Sequence, residues 1–330
     1  MSRYARQMIL SGVGRHGQAR IRAAHLLVVG AGGLGVPVVQ YLAGAGVGRI
    51  TLVDPDIVEA SNLHRQPIYG AYIGRPKVQA AADFARVLNP ETYVMPHIAW
   101  LSPDNASDLI ATADLVLDCA DSFAVSYLLS DCCMATQKPL ISASALGLSG
   151  YVGGFCGGAP SLRAVFPSLP DTLATCTTAG VLGPVVAMLG LIQAQMALAI
   201  LIGLDPSPLG QLVRYEMQGF RSFSFRFDDA PEPDGAIHRF IAKSDLLADD
   251  FVVELRDESE APLPVISHAL RLSVEDFGVD GPFPDPGQRT VFACRSGLRS
   301  WRAADRLRPH WSGEIVLLAD PPTILTGENS

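Results

Sequence analysis

The sequence predicts a doubly wound, Rossmann-like mixed α/β sheet followed by a smaller α/β domain. Three observations carry that prediction. Short apolar runs alternate with longer helical segments through the first half of the chain. A glycine-rich turn, Gly30-Ala31-Gly32-Gly33-Leu34-Gly35, falls between an apolar run and a helical segment. The alternation stops after Ser144 and a smaller α/β pattern returns near the C-terminal end.

In chain order, strands are expected at His25 to Gly30, Arg49 to Asp54, Thr92 to His97, Leu115 to Cys119 and Pro139 to Ser144, with helices at Leu34 to Gly46, Lys77 to Leu88 and Ser122 to Thr136. Beyond Ser144, the glycine-rich Gly147 to Gly158 reads as β, and strands near Leu212 to Met217 and Ser222 to Phe227 suggest an antiparallel continuation of the same sheet. The uncharged stretch Ala179 to Gly203 is long enough to span a bilayer, but it has internal glycines and glutamines and no basic flanks. It reads as a core or subunit-interface helix. The proline- and acid-rich run from Asp228 to Gly235 cannot continue a sheet. The first domain is therefore placed over residues 1–228, a linker over 229–236 and a second domain over 237–330, with strands at Phe251 to Leu255, Thr290 to Ala293 and Glu314 to Leu318 and a helix at Leu298 to Leu307.

A formal charge of −8 over 330 residues argues against nucleic-acid or anionic-membrane partners. The six cysteines lack the spacing of a disulfide framework or a four-cysteine zinc site, and the first residues form no secretory signal, so a reducing, cytoplasmic setting is expected.

The glycine turn has the context of a phosphate-approach loop, with Gly30, Gly32, Gly33 and Gly35 as its bare positions. Asp54 ends the next strand, where a carboxylate can accept from ribose hydroxyls. That pair also suits a nicotinamide enzyme, and a turn serving only packing would look the same. The following residues weigh toward a triphosphate. Ser61-Asn62-Leu63-His64-Arg65-Gln66 and Lys77 supply a planar guanidinium fork, a point charge and amide and hydroxyl partners. Asp121, with Ser122 beside it, follows another strand at the same sheet edge, where it can hold a magnesium ion that bridges phosphates.

Arg3-Tyr4-Ala5-Arg6-Gln7, the glycine loop, Asp54, the Asn62 to Gln66 run, Lys77 and Asp121, taken in order, resemble the MoeB/ThiF/HesA family, relatives of the ubiquitin-activating enzymes, over roughly the first 225 residues. The resemblance implies an ATP- and Mg2+-dependent adenylyltransferase acting on the terminal glycine of a small ubiquitin-like sulfur-carrier protein that ends in Gly-Gly, for thiamine, molybdenum cofactor or a related pathway. It implies a homodimer in which Arg6 reaches the partner's ATP, Asp54 and Asn62 seat the nucleoside, Arg65 and Lys77 hold phosphates, and Asp121 holds magnesium. Cys176 matches a family segment that often bears a cysteine, in some relatives covalently linked to the carrier.

The family's two zinc-binding Cys-x-x-Cys pairs are missing: the first position reads Ser161-Leu162-Arg163-Ala164, and none follows Met217. No structural zinc is expected, and packing alone is expected to hold the lobe beyond Ser144. In the tail, Cys294-Arg295-Ser296-Gly297-Leu298-Arg299-Ser300 runs from a strand into a helix and is similar to the active loop of rhodanese-like sulfurtransferases, with Phe251 to Asp257 and Val265 to Ala269 echoing their earlier strands. That likeness implies a persulfide on Cys294, supported by the helix end and by Arg295 and Arg299, with a cysteine desulfurase as candidate sulfur donor. Two other readings stay open at this point: a non-catalytic carrier-binding scaffold and a nicotinamide-dependent oxidoreductase.

Overall fold

The computed structural model describes residues 3–168, 180–234 and 238–321. These form two compact units: the first runs to Glu232, and the second begins at Pro233 and also claims Ser102–Asn105 and Ser122–Ala124.

The first unit opens with α1 (Ala5–Met8) and α2 (Gly14–Ala23) and then alternates β1 (His25–Val29), α3 (Gly35–Ala45), β2 (Arg49–Val53), α4 (Lys77–Leu88), β3 (Tyr93–His97), α5 (Pro103–Ala111), β4 (Leu115–Asp118), α6 (Phe123–Thr136) and β5 (Leu140–Leu146). Strands β1 to β5 pair in parallel in the order β3-β2-β1-β4-β5. The chain then turns back through β6 (Ser149–Phe155), α7 (Leu162–Val165), α8 (Gly183–Ile202), β7 (Gln211–Glu216) and β8 (Arg221–Arg226). Strands β6, β7 and β8 extend the same sheet antiparallel, which completes eight strands. The mixed sheet expected from the broken alternation is therefore present. Apart from His25 at the start of β1 and Asp118 at the end of β4, these two strands are apolar and buried on both faces, as a sheet covered on two sides demands.

Two clusters of buried side chains sandwich this sheet, one containing Leu26, Val28, Leu42 and Ile50, the other Leu27, Val29, Val116 and Leu140. Alternate residues of β1 thus feed opposite layers. Among the described residues α8 is the one helix long and apolar enough to cross a membrane. It lies instead against α3, β5 and β6. Of the two glutamines near its centre Gln195 is exposed and Gln193 faces inward, which explains its register. Gln193 is fully buried, and its amide donates to the carbonyls of Asp118 (2.7 Å) and Ile141 (3.3 Å) at the ends of β4 and β5.

The lobe beyond Ser144 is not held by packing alone, contrary to the sequence expectation. Arg163 forks onto Asp131 at 2.6 and 2.8 Å and lies over the Tyr127 ring. Helices α2 and α5 were not expected: glycines and charges interrupt α2, and α5 starts on the polar run Pro103-Asp104-Asn105.

The second unit holds a parallel five-stranded sheet built from β9 (Arg239–Phe240), β10 (Phe251–Glu254), β11 (Leu270–Arg271), β12 (Thr290–Cys294) and β13 (Ile315–Ala319), in the order β11-β10-β12-β13-β9. Helix α9 (Leu298–Leu307) packs on β12 and β13 through Trp301, Ala304 and Leu307. Val265–Ala269, expected as a strand, is a turn instead, with β11 following it. Pro262 and Pro264 stand just ahead and cannot donate to a ladder.

Replacing Gln193 with Leu would leave two buried strand-end carbonyls without their donor. A loss of about 1–3 kcal/mol in urea unfolding is expected. Unchanged stability would mean that the amide does not anchor α8.

Candidate functional site

The C-terminal ends of β1, β2 and β4 lie side by side, and the loops leaving them meet. Gly30 takes φ +100°, and a Cβ there would lie 2.5 Å from the Cys119 carbonyl oxygen, so the β1 and β4 loops touch through backbone. At Gly35 the approach is closer still, since a Cβ would fall 1.9 Å from the Gly30 oxygen. Gly32 and Gly33 face other groups. Gln66 passes over Gly32, and the Arg65 stem and Val186 pass over Gly33.

Asp54 is buried at the end of β2. One oxygen accepts from Ala31 N–H at 2.7 Å and the other from Asp56 N–H at 2.8 Å. The carboxylate expected to face a ribose is thus already the brace of the glycine loop, with a second lone pair left on each oxygen. Tyr69, which sequence reasoning missed, donates its hydroxyl to the Ala31 carbonyl at 2.9 Å on the same loop.

The cations are partnered. The buried Lys77 ammonium lies 2.7 Å from Asp56 Oδ2, a partner not foreseen because it stands 21 residues away in sequence. Arg65 donates to Asn62 Oδ1 at 2.5 Å, which orients the guanidinium. Ser61 is exposed and donates to Glu59. Buried Gln66 leaves its Oε1 without a hydrogen-bond partner among the described residues. Asp121 is exposed beyond β4, and its carboxylate makes no hydrogen bond or ion pair within the described residues; Ser122 immediately precedes α6. Arg6 is exposed on α1 and takes no part in this hydrogen-bonded group. Cys176 lies outside the described residues.

Behind Asp121, the Asp118 side chain is fully buried and accepts from Ser142 Oγ at 2.7 Å and Ala120 N–H at 3.2 Å. Burial pushes its carboxyl up to about 6, against the pull of the Ser126 and Ser142 hydroxyls. Burial likewise pushes Asp54 up to about 6, with Lys77 opposing.

In the second unit, Cys294 ends β12 with its side chain fully enclosed, and its sulfur accepts from Ser300 N–H at 3.4 Å at the start of α9. Arg295 is exposed. Arg299, expected to lend charge to the sulfur, directs Nη2 at both oxygens of Glu260, at 2.6 and 2.7 Å, and donates from Nη1 to the Leu255 carbonyl. Glu254 is buried against Arg256, which also reaches Asp320. Burial pushes the Glu254 carboxyl up, but the Arg256 guanidinium and the backbone N–H groups of Arg256 and Val265 outweigh it and hold the group below the usual carboxylate range.

A mixed sheet whose first parallel strand feeds a glycine loop at a helix start defines a nucleotide-fold protein of the mixed-sheet type. The chain belongs to the ThiF family, whose profile matches residues 4–235. It is similar to the adenylyltransferase and sulfurtransferase MOCS3 of Bos taurus, 46% identical over 218 residues covering 65% of this chain and 48% of the relative. It is similar also to the adenylyltransferase and sulfurtransferase UBA4 of Yarrowia lipolytica, 46% identical over 204 residues covering 61% and 52%. The chain thus spans about half the length of these curated relatives. Among solved structures, E. coli MccB with ATP superposes with a TM-score of 0.59 at 20% identity, covering 70% of this chain and 72% of that one. PaaA gives 0.59 at 23%, covering 68% and 72%. At those identities the likeness concerns the fold.

A carboxyl whose folded pKa exceeds its unfolded value contributes stability that is complete below the unfolded pKa and is lost as pH rises through the folded one. For Asp118 the window runs from its ordinary 3.8 to about 6. Stability of the parent protein relative to Asp118→Asn is therefore expected to fall across that window and level off above it. Parallel pH profiles of urea midpoints would show that Asp118 does not titrate there.

Proposed function

We propose that the first unit uses ATP to adenylylate the C-terminal glycine of a small ubiquitin-like sulfur-carrier protein. The observation that carries this reading is the meeting of the glycine loop, the Asp54 brace, the Asn62–Arg65 pair and the Lys77 ammonium at the ends of β1 and β2, with a free carboxylate, Asp121, beyond β4. The loop brings backbone close to a phosphate chain at the start of α3, and the two cations offset its charge. The unpartnered Gln66 carbonyl is a buried acceptor for a nucleotide donor. The names of the MOCS3 and UBA4 relatives support the same class of activity.

In the reaction, an oxygen of the carrier's terminal carboxylate attacks the α-phosphorus. The bond to the bridging oxygen breaks, and pyrophosphate leaves with the electron pair. No general base is needed, because the carboxylate is ionised at neutral pH. The chain's contribution is alignment and charge. Magnesium, when bound, neutralises phosphate charge; Asp121 would hold it, as a single carboxylate alongside substrate phosphates suits that ion. The chain would act in the cytoplasm as a homodimer, with Arg6 serving the partner's nucleotide; Ile9 and Leu10, exposed beside it at 73% and 60%, support such an interface.

The second unit is proposed to be a rhodanese-like sulfurtransferase, with its boundary at the linker before residue 237. The terminal sulfur of a Cys294 persulfide attacks the acyl-adenylate, AMP leaves, and a thiol then cleaves the resulting acyl disulfide to release the carrier thiocarboxylate. The enclosed position of Cys294 beside the α9 start supports a protected persulfide, whose sulfur a cysteine desulfurase would supply. Cys176 remains the proposed site of a covalent carrier link.

With a Gly-Gly-ending carrier, Asp121→Ala and Arg65→Ala are each expected to slow ATP–pyrophosphate exchange by about 10²-fold or more. Full exchange in Asp121→Ala would reject the magnesium role. Cys294→Ala should keep exchange and yield no thiocarboxylate, detected by the carrier's mass. Undiminished thiocarboxylate would remove Cys294 from the chemistry.

A further inference from the structure

The family pattern implies a zinc ion held by two Cys-x-x-Cys pairs, and the residues at the first pair's position do not fit one. Ala164 offers no donor atom. Ser161 Oγ is already engaged, donating to Glu232 Oε2 at 2.6 Å and capping the Ala164 N–H of α7 at 3.3 Å. A neutral hydroxyl in that arrangement cannot replace a thiolate. The nearby thiol of Cys156 does not make up the loss: its Sγ donates to the Ser130 carbonyl at 3.5 Å, and burial pushes it up to about 12, so it stays protonated at neutral pH. Among the described residues no three His, Cys, Asp or Glu side chains converge as a metal-holding group.

What occupies the place is a set of polar grips on three successive residues. Ser161 is held by Glu232, whose second oxygen accepts the Ser161 backbone N–H at 2.7 Å. The Leu162 N–H donates to Ser130 Oγ at 2.9 Å, and the Arg163 guanidinium is forked by Asp131. Ser130 and Asp131 are neighbours on α6, so two of the three grips come from one helix turn. The third comes from 71 residues away, at the last position of the first unit.

We propose that Glu232 is a metal-free latch: its carboxylate, gripped at both oxygens by Ser161, ties the end of the first unit back onto the 161–163 turn, as a bound metal would. Glu232 itself is exposed, but two features fix the contact. Both oxygens are used, so the carboxylate is fixed in direction as well as distance, and each bond carries the anion's charge. Ser161 is 3% exposed, so its backbone N–H has no ready exchange of Glu232 for water. The latch also sets where the chain leaves the first unit, because Pro233 follows it immediately.

The test uses the full chain and stability readouts that do not depend on its catalytic activity. Purified from zinc-supplemented cells, the protein is expected to contain substoichiometric zinc and to keep its thermal midpoint in a chelator. Stoichiometric zinc, or a midpoint lowered by the chelator, would overturn the proposal. Glu232→Ala and Ser161→Ala are each expected to lower the midpoint by about 3–8 °C, and the double variant by little more than either alone. Additive losses would mean that the two residues act separately. Should the alanine variants fail to fold, Glu232→Gln serves instead: its amide keeps the shape but only one acceptor and no charge, so a drop is expected, and an unchanged midpoint would refute the latch.

Discussion

Gly35 approaches the Gly30 carbonyl so closely that an added Cβ would sit 1.9 Å from its oxygen, and Gly30 in turn lies against the carbonyl of Cys119. Backbone meets backbone there because no side chain intervenes. The loops of β1 and β4 can share one sheet edge only on that condition, and the rest of the site is arranged around it. Asp54 braces the loop through the Ala31 N–H, while Tyr69 takes the Ala31 carbonyl, so both backbone polar groups of that residue are fixed before any ligand arrives. A loop preformed in this way spares a nucleotide the cost of ordering it.

The charges follow a consistent logic. Buried carboxyls are tolerated where hydroxyls and N–H groups surround them, as at Asp118, or where a cation stands near, as at Asp54. Lys77 is buried but paired, while Asp121, a carboxylate without a partner among the described residues, is exposed. In the second unit the same rule pairs buried Glu254 and Arg256 at the end of β10 and adds the partly exposed Asp320, and Glu260 takes up Arg299. Charge around the Cys294 loop is therefore largely balanced by neighbouring carboxylates, apart from the exposed Arg295.

Much of the fold was legible because periodicity reports burial. The apolar runs at β1, β2 and β4 and the glycine turn after β1 stand where the sequence places them, as does the loss of alternation where the sheet becomes antiparallel. Two-residue strands such as β9 and β11 carry no period to read, and α2 and α5 are masked by glycines and polar residues. At the site, the residue types were visible but their partners were not. Asp56 closing on Lys77 is a long-range pairing that no spacing rule encodes, as is Glu232 closing on Ser161 across 71 residues. Tyr69 gave no signal at all, since a lone buried tyrosine resembles any core aromatic.

The central claim is that the loop between β1 and α3 receives a nucleoside triphosphate. Calorimetric titration of the intact chain with ATP in the presence of magnesium, and separately with NAD, tests it most directly. The account predicts saturable ATP binding that is abolished by Gly35→Ala in protein that remains folded, and no binding of NAD. Tight NAD binding with none of ATP would contradict it.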